Sequence, residues 1–252
     1  MEKIKCTIQY DGTDFSGYQI QPNKRTVQGE VEQVLKNIHK GTPIRIHASG
    51  RTDTGVHAKG QVFHFETPLQ IPSNNWKKAL NAQLPDDLYI AQVEKVPPSF
   101  HARFSALEKE YRYYILLTEE PNIFLRNYRY QTTDYFNEEL LQEACEAFTG
   151  THDFTAFSSA RSTVKGDKIR TLHEVRFERK DDELIFILRG DGFLYHMVRI
   201  IVSVLLEAGR GEITREEINE MFHTKNRGNH RSPLPPHGLY LWNVTYPDVK
   251  EN

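Results

Sequence analysis

The chain has 252 residues, 38% of them hydrophobic and 26% charged, with two cysteines and a formal charge of −2. That length suits one large domain or two small ones with a proper core. The composition excludes low-complexity and collagen-like chains, a disulfide framework and a multi-cysteine zinc site, and the near-neutral sum gives no global pull toward nucleic acid.

In chain order, "KIKCTIQY" alternates and is β-rich, so it reads as a strand, and "DGTDFSG" supplies turn residues after it. "TVQGEVEQVLKNIHK" places Val27, Val31, Val34, Leu35 and Ile38 at helical spacing, with Thr26 as N-cap. Strands are expected at "PIRIHAS" and "GQVFHFET", a second helix at "PSNNWKKALNAQL" and a strand at "DLYIAQVEKV". The order is β-α-β-β-α-β, a split unit whose two helices cover one face of an antiparallel sheet.

The second half is expected to repeat that order. It offers a strand "KEYRYYILLT", a helix "DYFNEELLQEACEAFTG", and a hairpin of "KIRTLHEVRFERK" and "DELIFILRG" across Asp181 and Asp182. An apolar helix "FLYHMVRIIVSVLLEAG" and a short one, "TREEINEMFH", precede a closing strand "GLYLWNVTYP". The fold class is therefore α/β (α+β), with halves at 1–105 and 106–252. Two such sheets joined edge to edge, with their junction near residues 100–108, would leave a cleft between them.

Local charge departs from the neutral sum. Residues 161–180 carry seven Lys or Arg against three acids, and 223–238 carry three Lys or Arg, three His and no acid. An acidic helix offsets them, which permits a positive face on a near-neutral protein. No apolar segment follows the charged "MEKIKC", and the longest apolar run, Ile200 to Leu206, is too short to cross a bilayer. A cytoplasmic protein with no membrane partner is expected.

Between the two strands of the first half lies "SGRTDTGVHA", residues 49–58. Gly50 and Gly55 suit a loop that bends at both ends. Asp53 reads either as an Asx-type turn former or as a carboxylate held out at the cleft, with Arg51 beside it to meet an anionic substrate. An aspartic-protease reading of "DTG" needs two carboxylates sharing a proton, from two copies or a symmetric dimer; the chain has no second DTG, and polar "RT" precedes this one where an apolar strand would be expected.

Arg199 sits in an otherwise apolar helix. It must meet an acid, for which Asp53 is the candidate, or snorkel from the first turns into water. Tyr111 and Tyr113 point to one face of their strand and Tyr114 to the other. They are either core packing or, in a basic cleft, a stacking platform for a nucleobase. The eleven histidines form no metal pattern, and neither a Walker loop nor a dinucleotide fingerprint occurs, so no metal and no cofactor is expected.

"SGRTDTGVHAKGQVFHFET" resembles the active-site motif of the TruA family of tRNA pseudouridine synthases. The likeness extends through "YDGTDFSGYQIQPNKRTVQGEVE", "SFHARFSALEKEYRYYIL", "GDGFLYHMVRIIVSVLLEAGRG" and "HGLYLWNVTYP", so it covers essentially the whole chain. Thr54 departs from the alanine common in the family. The resemblance implies two RRM-like halves forming one extended, mostly antiparallel sheet with a central basic cleft, and a homodimer. It implies conversion of uridine to pseudouridine in the anticodon stem-loop of tRNA, at roughly positions 38 to 40, without a cofactor. Asp53 would be the essential carboxylate and Arg199 its partner. Tyr111 would stack on the target base and assist proton removal at C5, and Arg51 would help hold the extruded nucleotide. A non-catalytic RNA-binding protein on the same paired scaffold is the alternative. It would need the basic cleft but not Asp53, Tyr111 and Arg199.

Overall fold

A computed structural model describes residues 1–159, 166–228 and 232–247. Parts of both basic stretches, 161–165 and 229–231, lie outside the described residues. The chain divides into two compact units, one made of Met1–Leu107 with Tyr240–Asn252 and the other of Glu108–Leu239. Both are mixed α/β, and their sheets are mostly antiparallel.

In the first unit, β1 (Glu2–Tyr10), α1 (Val27–Ile38), β2 (His47–Ala48), β3 (His57–Thr67), α2 (Ser73–Asn81) and β4 (Leu88–Val96) follow the expected order. Both β3 and β4 pair with β1 antiparallel. Alternation along β1 buries Ile4, Cys6, Ile8 and Tyr10 on one face. Thr26 caps α1 by accepting from the Gly29 N–H, and Val27, Val31, Val34 and Leu35 are buried. On α2, Trp76 is fully buried and meets the edge of Phe65 from β3 at 5.3 Å.

Two strands differ from expectation. Of "PIRIHAS", only His47 and Ala48 pair with β3, because the Ile46 N–H is taken by the Glu32 carboxylate of α1 at 3.1 Å. In the second unit, β5 (Glu108–Leu117), β6 (Tyr130–Thr132), α3 (Glu138–Phe148), β7 (Gly150–Asp153), β8 (Ile169–Lys180), β9 (Glu183–Gly190), α4 (Met197–Gly209) and α5 (Arg215–Thr224) precede the last strand. That strand, β10 (Leu239–Thr245), was expected to close the second half. Instead it runs parallel to β3, pairing Tyr240 with His57 and Leu241 with Ala58. A Cβ on Gly60 would lie 2.5 Å from the Trp242 carbonyl, so only a glycine on β3 lets β10 come this close. The boundary expected at 105/106 accordingly falls at 107/108, with the end of the chain returned to the first unit.

The second unit's sheet runs β5-β9-β8-β7, with the short β6 parallel to β5. Neither β6 nor β7 was expected from sequence. Asp181, at a positive φ of 51°, turns the β8–β9 hairpin where the paired aspartates predicted it. Helix α3 starts only at Glu138, where Asn137 accepts from the N–H groups of Glu139 and Leu140. Helix α4 starts at Met197, four residues later than its apolar pattern, because His196 adopts a left-handed conformation at φ 63°. Every α4 residue except Arg199, Ser203 and Glu207 is buried. These three are spaced by four, so they form the helix's one polar edge. Among the described residues, no helix is long and apolar enough to cross a membrane. Cys6 and Cys145 are both buried and free.

Candidate active site

The eight residues between β2 and β3 form no ladder of their own, yet hydrogen bonds fix them at both ends. Ser49 donates its N–H to the Val62 carbonyl at 2.8 Å and its hydroxyl to Gln61 Oε1 at 2.7 Å. The Gln61 amide in turn donates to the Gly50 carbonyl at 3.1 Å. Next to Asp53, the buried Thr52 hydroxyl lies 2.8 Å from the Tyr10 hydroxyl, and the Thr52 carbonyl accepts from the Tyr18 N–H at 3.1 Å. Burial pushes the Tyr10 phenol well above its ordinary range, so it stays protonated and able to donate. The Val56 N–H closes a turn onto the Asp53 carbonyl at 3.2 Å.

Two glycines of the segment after β1 press against this turn. A Cβ on Gly12 would sit 2.1 Å from the Val56 carbonyl oxygen, and one on Gly17 would sit 3.0 Å from the Thr52 carbonyl oxygen. Gly55 has a φ of 76°, as its place in the turn requires. Gly50 was expected to need the same freedom, but it is not among the glycines with positive φ. The sequence treated "DGTDFSG" as generic turn residues. Its glycines instead form the seat of the aspartate loop, a role with no local signature.

Asp53 is half-buried and Arg51 exposed. His57, buried at the start of β3, accepts the Gly12 N–H at Nδ1 at 3.0 Å and stacks on Tyr240 at 4.6 Å. Its Nδ1 also lies 3.2 Å from an Asp11 carboxylate oxygen.

Tyr111 and Arg199 belong to the second unit. Tyr111 is buried on β5 opposite Leu188, its ring edge-on to Phe193 at 4.9 Å. Two residues along the same face, the Tyr113 hydroxyl donates to the Pro235 carbonyl at 2.8 Å. Burial drives the Tyr113 phenol far up, and the neighbouring Arg199 guanidinium opposes that rise. Tyr114, on the other face, carries the Arg129 guanidinium over its ring at 4.2 Å.

Arg199 is the third residue of α4 and half-buried. Its Nε donates to the Leu234 carbonyl, while the Leu234 N–H reaches the Arg199 carbonyl at 3.3 Å. It therefore lies on the polar edge of α4, held by the segment before β10. Simple snorkelling into water does not describe it. Asp53 and Arg51 thus share one loop of the first unit, and Tyr111 and Arg199 neighbouring elements of the second. Among the described residues, no group of three or more His, Cys, Asp or Glu side chains could hold a metal ion.

A family model described as "tRNA pseudouridine synthase" matches residues 7–105 and 144–247. Those segments contain Arg51, Asp53 and Arg199, while Tyr111 lies between them. The chain is 54% identical over 252 residues to "tRNA pseudouridine synthase A" of Oceanobacillus iheyensis, covering 100% of both chains. It is 54% identical over 246 residues to the protein of the same name from Anoxybacillus flavithermus, covering 98% of this chain and 99% of that one. To "tRNA pseudouridine synthase A 1" of Bacillus cereus it is 51% identical over 246 residues, again covering 98% and 99%.

Proposed function

The chain belongs to the tRNA pseudouridine synthase family, and we propose that it isomerises uridine to pseudouridine at roughly positions 38 to 40 of the tRNA anticodon stem-loop. The reaction breaks the N1–C1′ bond, turns the base and joins C1′ to C5. The C5 proton is lost and N1 gains one, so the nucleotide is rearranged with nothing added. No cofactor enters. The enzyme is proposed to work as a homodimer in the cytoplasm.

In this reading Asp53 is the carboxylate that starts the rearrangement. Arg51, exposed two residues before it, meets the backbone of the extruded nucleotide. The Tyr111 ring stacks on the target base, and its hydroxyl serves proton removal at C5. Arg199 supplies a guanidinium fork that holds a carboxylate ionised and oriented. One observation supports this reading above the others. The backbone on either side of Asp53 is fixed by buried hydrogen bonds and two close glycines, while the carboxylate-bearing residue itself stays half-exposed. Such fixing places a reacting group. A non-catalytic RNA-binding protein would gain nothing from a carboxylate held there, because it repels RNA phosphates.

Asp53→Asn tests the assignment, because it keeps shape and polarity while removing the reactive carboxylate. Tritium release from tRNA labelled at uridine C5 should fall by roughly 10⁴-fold or more, with tRNA affinity retained. Substantial release by this variant would reduce Asp53 to a turn former.

A further inference from the structure

The segment His101 to Ser105 contains an unusually well-held exposed ring. Phe104 is 77% exposed. The turn that presents it is closed by Ser105 N–H to the His101 carbonyl at 2.9 Å and by His101 N–H to the Ser105 hydroxyl at 3.0 Å. The Arg103 N–H donates to His101 Nδ1 at 3.1 Å and the Ala102 N–H to His64 Nδ1 at 3.2 Å, while the Tyr246 hydroxyl donates to the Ala102 carbonyl at 2.6 Å. A loop tip with a large apolar ring in water ordinarily stays loose or turns the ring inward. Here the ordering cost is met in advance, as in a preorganised binding element.

The ring is not alone. Phe104 packs on His101 at 4.4 Å, and His101 lies 5.7 Å from the exposed His47, so three aromatic rings stand in a row. The Arg103 guanidinium is 5.8 Å from the Phe104 ring, and no carboxylate among the described residues pairs with it. Burial first, then the cations around them, hold His64 down to about 4 and His101 below its ordinary value. Both rings are therefore neutral at pH 7; His64 is buried beneath, while the half-exposed His101 can stack. The permanent charges acting on them, from Lys3 and Arg103, are positive.

We propose that His47, His101 and Phe104, with Arg103, form an RNA-stacking strip on the first unit that holds tRNA outside the aspartate loop. Its ligand chemistry is an unstacked or terminal base on the rings and a phosphate on the guanidinium. The charge decides for RNA over protein, since an apolar partner would leave the Arg103 cation uncompensated. The identity of the polyanion as tRNA rests on the function proposed above.

The test uses unmodified tRNA, fluorescence anisotropy for affinity and steady-state pseudouridine formation for turnover. Phe104→Ala should weaken binding about tenfold, with the loss carried by Kd and KM and not by kcat. Phe104→Trp should restore it, which a merely structural role would not predict. Arg103→Ala should lower the salt slope of binding by about one unit. Wild-type affinity in Phe104→Ala overturns the proposal. So does unchanged affinity with an altered sedimentation coefficient, which would make this face a protein contact. A wild-type protein that binds tRNA without forming pseudouridine sinks the proposed function instead, and a weaker Phe104→Ala would then still support the strip.

Discussion

The aspartate loop and the arginine helix place their charged groups by opposite means. Residues 49–56 have no repeating structure, and their position comes from Tyr10, Phe15, Tyr18, Gln61 and two glycines that are distant in sequence. Arg199 stands at a fixed place on a helix whose apolar periodicity sets its orientation, with Leu234 as an added hold. The carboxylate is thus only as well placed as its tertiary neighbours. The guanidinium keeps most of its placement as long as α4 forms. Perturbing a neighbour should therefore disable the loop, whereas comparable changes in α4 should cost stability first.

Among changes to the surroundings of the two charged groups, the largest expected effect comes from Gly12→Ala. Its Cβ would lie 2.1 Å from the Val56 carbonyl, a backbone atom that cannot step aside without moving the turn of Asp53. A shift of that turn by about 1 Å should lower kcat by roughly a hundredfold. Gly209→Ala is the matched control in α4, where the added Cβ meets the flexible Leu141 side chain at 2.7 Å. It should cost about 1–3 kcal/mol in denaturant unfolding and leave kcat near wild type. Equal kcat losses in both variants would erase the contrast.

Arg199→Lys comes next. Lysine keeps the charge and the helix but loses the planar fork, so kcat should drop by roughly ten- to a hundredfold with little change in Tm. Its pairing with Asp53, expected from sequence, is open to a double-mutant cycle of Asp53→Ala and Arg199→Ala followed by thermal denaturation. A coupling above about 0.5 kcal/mol supports the pair, and strict additivity removes it.

The smallest effect should be that of Tyr10→Phe. It leaves the ring in the core but removes the partner of the buried Thr52 hydroxyl, at a cost of about 1–3 kcal/mol. Because Tyr18, Gln61 and the glycines still hold the loop, kcat should fall only severalfold. Calorimetry and single-turnover rates on one preparation would separate the two losses. A kcat loss as deep as that of Gly12→Ala would mean that this one hydroxyl sets the loop.

The sequence by itself determined those features whose cause lies within a few residues. Thr26 capping α1 and the turn at Asp181 are local bonds and local backbone preferences, and they occur where the residues put them. Alternation fixed which residues of β1 point inward, and apolar spacing fixed the buried faces of α1 and α4. The motif around Asp53 was legible because loop, glycines and carboxylate are contiguous. Tertiary structure decided what depends on partners far along the chain. Nothing near "GLYLWNVTYP" says that it pairs with β3 of the first unit, because a strand's partner is chosen by an edge and by close approach, here at Gly60. Nothing in "PIRIHAS" says that Glu32 takes its Ile46 N–H and cuts the strand to two residues. The role of Gly12 and Gly17 as the seat of the Asp53 loop was equally hidden. A glycine's reason for being small is the atom that comes against it, and that atom is supplied by the fold.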